Sequence, residues 1–273
     1  MGMPDPAAEP TLPSYDLARD LERLAAEARA EFGPRARVQV VADVFSMAGR
    51  PSTISGTVPI VERALAAYYN GRFSARPRRA LSVYLYPSLG PFYDYCRRKW
   101  NRRCSTPYGF YLPSERRIVM NIGPGIGTLT HELVHPIVEA DFPRAPDWID
   151  EGIASLYERF YFYGHDEIGG SKNWRHPRLV AALQSPPERE RAKLQNLFGM
   201  SDAEFRDQHE SLHYAMARYL CQWLDAQHKL WPFYHRWRDG YDQDPSGEGA
   251  FFEVVGLTPQ QAHPAWARWV RQL

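Results

Sequence analysis

Residues 127–158 read GTLTHELVHPIVEADFPRAPDWIDEGIASLYE, and this stretch decides how the rest of the chain is read. At about 100° per residue, Ile126, Leu129, Leu133, Ile137 and Ala140 project in one direction and predict a helix with a single apolar seam. His131 and His135 lie opposite Leu133 on that wheel. Two imidazoles four residues apart share a helix face and can share one tetrahedral ion. Glu132 points about 100° away from Leu133, toward where a metal-bound water would sit. Pro136 removes a backbone donor, which predicts a bend after the motif that turns the chain toward Glu151.

A site with three protein ligands and one open position needs a further donor. The metzincin arrangement would place Gly at 138 and His at 141, where this chain has Val138 and Asp141, and it is excluded. The alternative lies in WIDEGIA, residues 148–154. Asp147 after Pro146 predicts the cap of a second helix, with Asp150 as its N3 partner. Ile149, Ile153, Leu156 and Phe160 form the expected buried stripe of that helix, and Glu151 sits in its first turn on another face. Gly152, lacking a side chain, would let this helix approach the first closely enough for Glu151 to reach a metal. Asp141, Asp147 and Asp150 are the rival carboxylates. The other use of Glu151 is as a solvated carboxylate favoured by the helix dipole.

Outward from this stretch, the 273 residues are 44% hydrophobic and 24% charged, an ordinary globular composition. A net charge of +1 supplies no overall field that would draw nucleic acid or a membrane surface. No apolar run approaches the roughly 18 residues of a membrane span. The first residues lack the charged and apolar regions of a signal peptide, yet a Pro/Ala-rich start is what remains when one is removed. The compartment is therefore open, with periplasmic or secreted favoured over cytoplasmic. Cys96 and Cys104 flank a short loop and can pair in an oxidising compartment or stay free in the cytosol.

Residues 1–13 are expected as a disordered tail and 14–273 as one domain, with an α/β half over about 14–123 and a helical half over about 124–273. Helices are expected over Tyr15–Phe32, around Pro59–Tyr69 and near Pro91–Trp100. Strands are expected at Val38–Val44 and Ala80–Tyr86, with a hairpin-like pair, Gly109–Leu112 and Arg117–Asn121, joined at Pro113-Ser114. Beyond Gly127 only helices and long loops are expected. Mixed strands and helices followed by helices alone give an α+β class. The polar, Gly-rich stretch Tyr161–His176 is a candidate active-site loop.

HELVH followed by WIDEGIA resembles the gluzincin metallopeptidases, in particular a group of largely uncharacterised bacterial members. Thr128-Leu129, Ala140-Asp141-Phe142-Pro143, Pro146, Trp148 and Ala154-Ser155-Leu156-Tyr157-Glu158 match that group as well. The resemblance implies a zincin-like fold with a mixed sheet and an active-site HExxH helix. It implies Zn2+ held by His131, His135 and Glu151, with Glu132 as general base and Arg117–Asn121 as the sheet edge along which an extended peptide lies. Similar proteins carry a Tyr on a helix after the glutamate ligand. Tyr214, on a helix expected over Glu210–Gln227, is thus a candidate oxyanion donor, with His213 as the second choice.

Asn173-Trp174-Arg175 either touches substrate or pins its loop through a salt bridge. RRKWNRRC at 97–104 reads as a solvated helix end. The functional expectation is a zinc peptidase acting on peptide or protein substrates. Endopeptidase action is favoured over aminopeptidase, because the edge segment has no glutamate pattern for holding a free amine. The alternatives are a zinc-binding, non-catalytic or self-inhibited recognition module and a zinc hydrolase of a non-peptide amide.

Overall fold

The computed structural model describes residues 15–273, and the expected tail at 1–13 lies outside the described residues. The first part comprises α1 (Leu17–Phe32), β1 (Arg37–Val41), β2 (Phe45–Gly49), α2 (Pro51–Tyr69), β3 (Leu81–Tyr86), α3 (Leu89–Trp100), β4 (Gly109–Leu112) and β5 (Arg117–Asn121). Then follow α4 (Gly127–Glu132), α5 (Val134–Asp141), α6 (Asp147–Leu156), β6 (Phe160–Phe162), β7 (Ile168–Gly170) and α7 (His176–Gln184). The chain closes with α8 (Pro186–Arg189), α9 (Leu194–Phe198), α10 (Asp202–Phe205), α11 (Glu210–Asp225), α12 (Leu230–Gly240), α13 (Glu248–Val255) and α14 (Pro259–Gln272). The class is α+β, with a mixed sheet and a helical majority.

The sheet runs β1-β2-β3-β5-β4, parallel across β2/β3 and β3/β5 and antiparallel at both edges. All six residues of β3 are buried, as a central strand covered on both faces requires. Alternation sorts the side chains into two cores. Met47, Val83, Leu85, Ile118 and Met120 join Val58 and Val61 of α2, Leu129 of α4 and Leu133 just after it. On the other face Ala48, Tyr84, Tyr86 and Val119 meet Ala28 of α1 and Phe92, Tyr95 and Cys96 of α3. Cys96 is bonded to Cys104, with Cα atoms 5.5 Å apart, and Cys221 is a buried free thiol.

Several expectations change. Val38–Val44 is not one strand: the chain reverses at Ala42 and Asp43, whose φ values are 46° and 66°, and returns as β2. That tight hairpin has a three-residue turn, Ala42–Val44, with positive φ at its first two residues and no glycine to announce it. The helix placed around Pro59 starts at Pro51, which occupies its first turn, and Pro59 lies inside it. The sheet edge beside α4 is β4; β5 is interior. The region after Gly127 contains one short hairpin, β6–β7.

Behind the site, α6 is clamped between α11 and an aromatic stack. Trp148, fully buried, lies 5.1 Å from Trp237 at an interplanar angle of 27° and also stacks on Phe233. Gly152 faces the other way from the expected one. A Cβ there would stand 2.8 Å from Cys221 Sγ and 3.0 Å from the Ala217 carbonyl oxygen, so the missing side chain admits α11 and not the histidine helix. Among the described residues no helix is long and apolar enough to cross a membrane.

Candidate metal centre

β5 delivers the chain to α4 through a short turn held by Asn121, whose side chain donates to the Pro107 carbonyl and accepts from the Gly123 amide. Gly127 opens α4 directly against the segment that follows α6: a Cβ on it would stand 2.0 Å from the Glu158 carbonyl oxygen. Thr130 Oγ1 donates to the Tyr157 carbonyl at 2.8 Å, which locks the same contact. Gly127→Ala is therefore expected to cost about 1–3 kcal/mol of stability. Thermal denaturation checks it, and an unchanged melting temperature would show that this docking yields without penalty.

The bend associated with Pro136 falls inside the motif, at Leu133, which separates α4 from α5. Proline cannot donate to the carbonyl four residues earlier, that of Glu132, and its ring crowds it. Leu133 keeps right-handed helical angles, φ −69° and ψ −23°, so both histidines still share a face, their rings 4.9 Å apart.

Across from them, α6 presents Glu151. One donor atom from each of His131, His135 and Glu151 lies within 4.8 Å of the others, the sole such grouping of three or more potential ligands among the described residues. His131 Nε2 is 3.3 Å from Glu151 Oε2. Ligands at zinc bond lengths of about 2.0–2.2 Å on a tetrahedron stand roughly 3.3–3.6 Å apart, so this edge already has the required length. Glu151 Oε2 is buried and accepts no hydrogen bond among the described residues. A buried carboxylate oxygen left bare beside two imidazoles is a place for a cation, and the donor set suits zinc.

Two of the three candidate ligands, His135 and Glu151, are hydrogen-bonded from behind, whereas His131 Nδ1 makes no hydrogen bond among the described residues. His135 Nδ1 is 3.0 Å from both oxygens of Asp150, which directs Nε2 toward the shared position. His131 Nδ1 lies 3.4 Å from Glu158 Oε1. Glu158 in turn accepts from Asn173 Nδ2 at 2.9 Å and Arg175 Nη2 at 2.8 Å. Glu151 Oε1 accepts from Tyr214 Oη at 2.7 Å and Arg206 Nη2 at 3.1 Å.

Charge follows from this crowding. Burial opposes the charged form of His135, but Asp150 and Glu151 override it and push the imidazole up to about 10. His131 is raised as well, burial again being overcome by Glu151 and Glu132. Burial would raise Glu151, yet His135 and His131 hold it well below the usual carboxylate range. Glu132, beside the ligands, is pushed upward chiefly by burial.

The rival carboxylates sort themselves by partner. Asp141 accepts from the amides of Ser74 and Ala75 at 2.9 and 2.6 Å and from Arg238 at 2.9 Å, away from the site. Asp147 is the first residue of α6 and pairs with Arg206; Pro146 holds the cap position without a side-chain bond. Asp150 is a histidine partner and not an N3 cap residue.

The centre lies on the floor of a cleft of about 1100 Å³, walled by Tyr108–Tyr111 on the β4 side and by Trp174, Arg175, Arg206 and Tyr214 opposite. Of the expected loop Tyr161–His176, only Asn173–Arg175 reaches this cleft. The hairpin before it is held on α2 by Arg63 and Asn70, which donate to the carbonyls of Gly164, His165 and Asp166. Arg175 forms the loop-pinning salt bridge, while Trp174 stays 69% exposed. Tyr214 lines the cleft, but His213 is buried against the Phe205 carbonyl and does not. In the 97–104 patch Arg97, Arg98 and Lys99 are paired with Asp94, Glu31 and Glu115.

Glu158 and Arg206 are the site residues that the sequence reading left without a role. Glu158 belongs to the matched SLYE run, a signal that was present but unread. Arg206 follows a four-residue helix far from the motif and carries no such signal. In comparisons with known proteins the chain matches no family model, and no curated protein matches it significantly.

Proposed function

We propose that the protein is a zinc-dependent peptidase of the gluzincin type, cutting within polypeptides. The observation that carries this reading is the His131–His135–Glu151 cluster at the floor of an open cleft, with Glu132 beside it and its base-competent carboxylate facing the same space. Zinc, when bound, supplies a Lewis acid that polarises a scissile carbonyl and acidifies water. Glu132 takes the proton of the attacking water and passes it to the leaving amine. β4, the edge strand of the sheet on the side of the cleft, offers backbone groups along which an extended peptide can lie. The hairpin β6–β7, pinned on α2, leaves the cleft uncovered and so favours an enzyme over a self-blocked binding module. The Cys96–Cys104 bond supports a periplasmic or secreted setting.

Metal analysis of the purified protein alongside a peptide-library cleavage assay tests the reading. Glu151→Ala should release zinc, Asp150→Ala should weaken it by roughly 10–100-fold through the loss of the histidine partner, and Asp141→Ala should leave it unchanged. Retention of zinc by Glu151→Ala together with its loss from Asp141→Ala would assign the third ligand elsewhere.

Tyr214 can serve the oxyanion of the substrate by turning its single proton from Glu151 toward the cleft, since Arg206 still holds the same Glu151 oxygen. Tyr214→Phe should therefore keep its zinc and lose roughly 10²–10³ in turnover. An unchanged rate on a good substrate returns Tyr214 to the cleft wall.

A further inference from the structure

We infer that Arg206 is a positioning residue for the metal centre, one that dictates which oxygen of Glu151 a cation meets. The inference rests on the reading that His131, His135 and Glu151 bind a metal.

The two oxygens of Glu151 are treated very differently. Oε1 receives two donors, Tyr214 Oη at 2.7 Å and Arg206 Nη2 at 3.1 Å. Oε2 receives none among the described residues and stands 3.3 Å from His131 Nε2. A carboxylate whose one oxygen is saturated by an O–H and a guanidinium N–H offers a cation only the other. Glu151 is therefore set for one-atom coordination, which leaves room in the coordination sphere for a fourth, exchangeable partner.

Arg206 can impose this because it is a fork. Its Nε pairs with Asp147, its Nη1 donates to Tyr214 Oη at 3.0 Å and its Nη2 reaches Glu151. Asp147 and Glu151 lie one helical turn apart on α6, so the guanidinium spans that turn and ties it to α11 through Tyr214. A lysine carries the charge but has no planar fork and cannot satisfy three partners at fixed angles. Charge alone would be a poor reason for the arginine, since a cation beside a metal-binding carboxylate competes with the metal. The geometry it enforces is the gain.

The test compares wild type, Arg206→Met, Arg206→Lys and Asp147→Asn, each freed of metal and titrated with Co2+ against a competing chelator, with the visible spectrum recorded. Wild type should bind one Co2+ with the strong absorption of a four-coordinate ion. Arg206→Met should bind roughly 10–100-fold more weakly, with weaker absorption as Glu151 turns two-atom. Arg206→Lys should recover affinity in part without recovering the spectrum. Asp147→Asn, which keeps the guanidinium but loosens its anchor, should shift the same way by less and covers the case in which Arg206→Met does not fold. Variants that melt lower yet match wild type in both affinity and spectrum would reduce Arg206 to a structural brace and overturn the inference. A folded wild type that takes up no Co2+ would instead overturn the metal reading beneath it.

Discussion

Glu132→Gln is expected to keep its zinc and its fold while turnover falls by at least the roughly 10²–10⁴-fold that accompanies loss of a general base. The substitution preserves volume and polarity and leaves both imidazoles and Glu151 untouched. The Glu132 side chain lines the cleft next to the ligand cluster without belonging to it, so metal content and melting temperature have no reason to change. An amide cannot accept the proton of the attacking water. The measurement is product formation by mass spectrometry for wild type and variant, each loaded with one equivalent of zinc. Comparable cleavage by both would place the activity in a contaminant or in a different site, and the proposed mechanism would fall. A recognition module would bind its partner equally before and after the change and cleave in neither case.

Removing either imidazole should have an effect of similar size on a different quantity. His131→Ala or His135→Ala is expected to reduce zinc from about one per chain to background, because two remaining donors do not complete a three-ligand site. Binding to the native state alone stabilises it, by about 4 kcal/mol when free metal is a thousandfold above the dissociation constant. Added zinc should therefore raise the melting temperature of wild type and leave that of the variants unmoved. Full zinc occupancy in the double variant, by elemental analysis, would sink the assignment. Both histidines sit at the junction of α4 and α5, so the metal-free melting temperature of each variant must be read first; a large fall there would report on packing and not on the ion.

What could be read in advance followed local rules. The helix around HELVH, the strand Leu81–Tyr86 and the pair Gly109–Leu112 and Arg117–Asn121 were legible because periodicity and turn residues act over a few positions. The pairing of His131 and His135 was legible because they stand one helical turn apart; Glu151 was implied by the resemblance of HELVH and WIDEGIA, while the Gly152 argument for it pointed the wrong way. What escaped depends on elements distant in the chain. Strand order decides that β4 and not β5 is the edge, and nothing within Arg117–Asn121 encodes it. The neighbour of Gly152 is α11, some 65 residues downstream, and only the packed structure reveals that the glycine admits Cys221. Asp150 looks like a capping residue from its place in a first turn, and its use against His135 requires the approach of α5 and α6. The Ala42–Asp43 reversal was hidden for another reason: its residues pay a conformational penalty that sequence rules expect glycine or asparagine to avoid.

α6 carries Trp148 and Glu151 three residues apart, about 60° around the helix from each other, with Trp148 stacked on Phe233 and Trp237 of α12. A tryptophan-sized void behind this helix typically costs about 3–5 kcal/mol, and the helix can relax into it only by carrying its carboxylate along. In a screen scored by activity, substitutions at Trp148, Phe233 and Trp237 would then cluster with those of the proposed ligands although none of the three lines the cleft. Sorting the two groups calls for excess zinc in the assay medium: a displaced carboxylate can be compensated by mass action, whereas an absent one cannot.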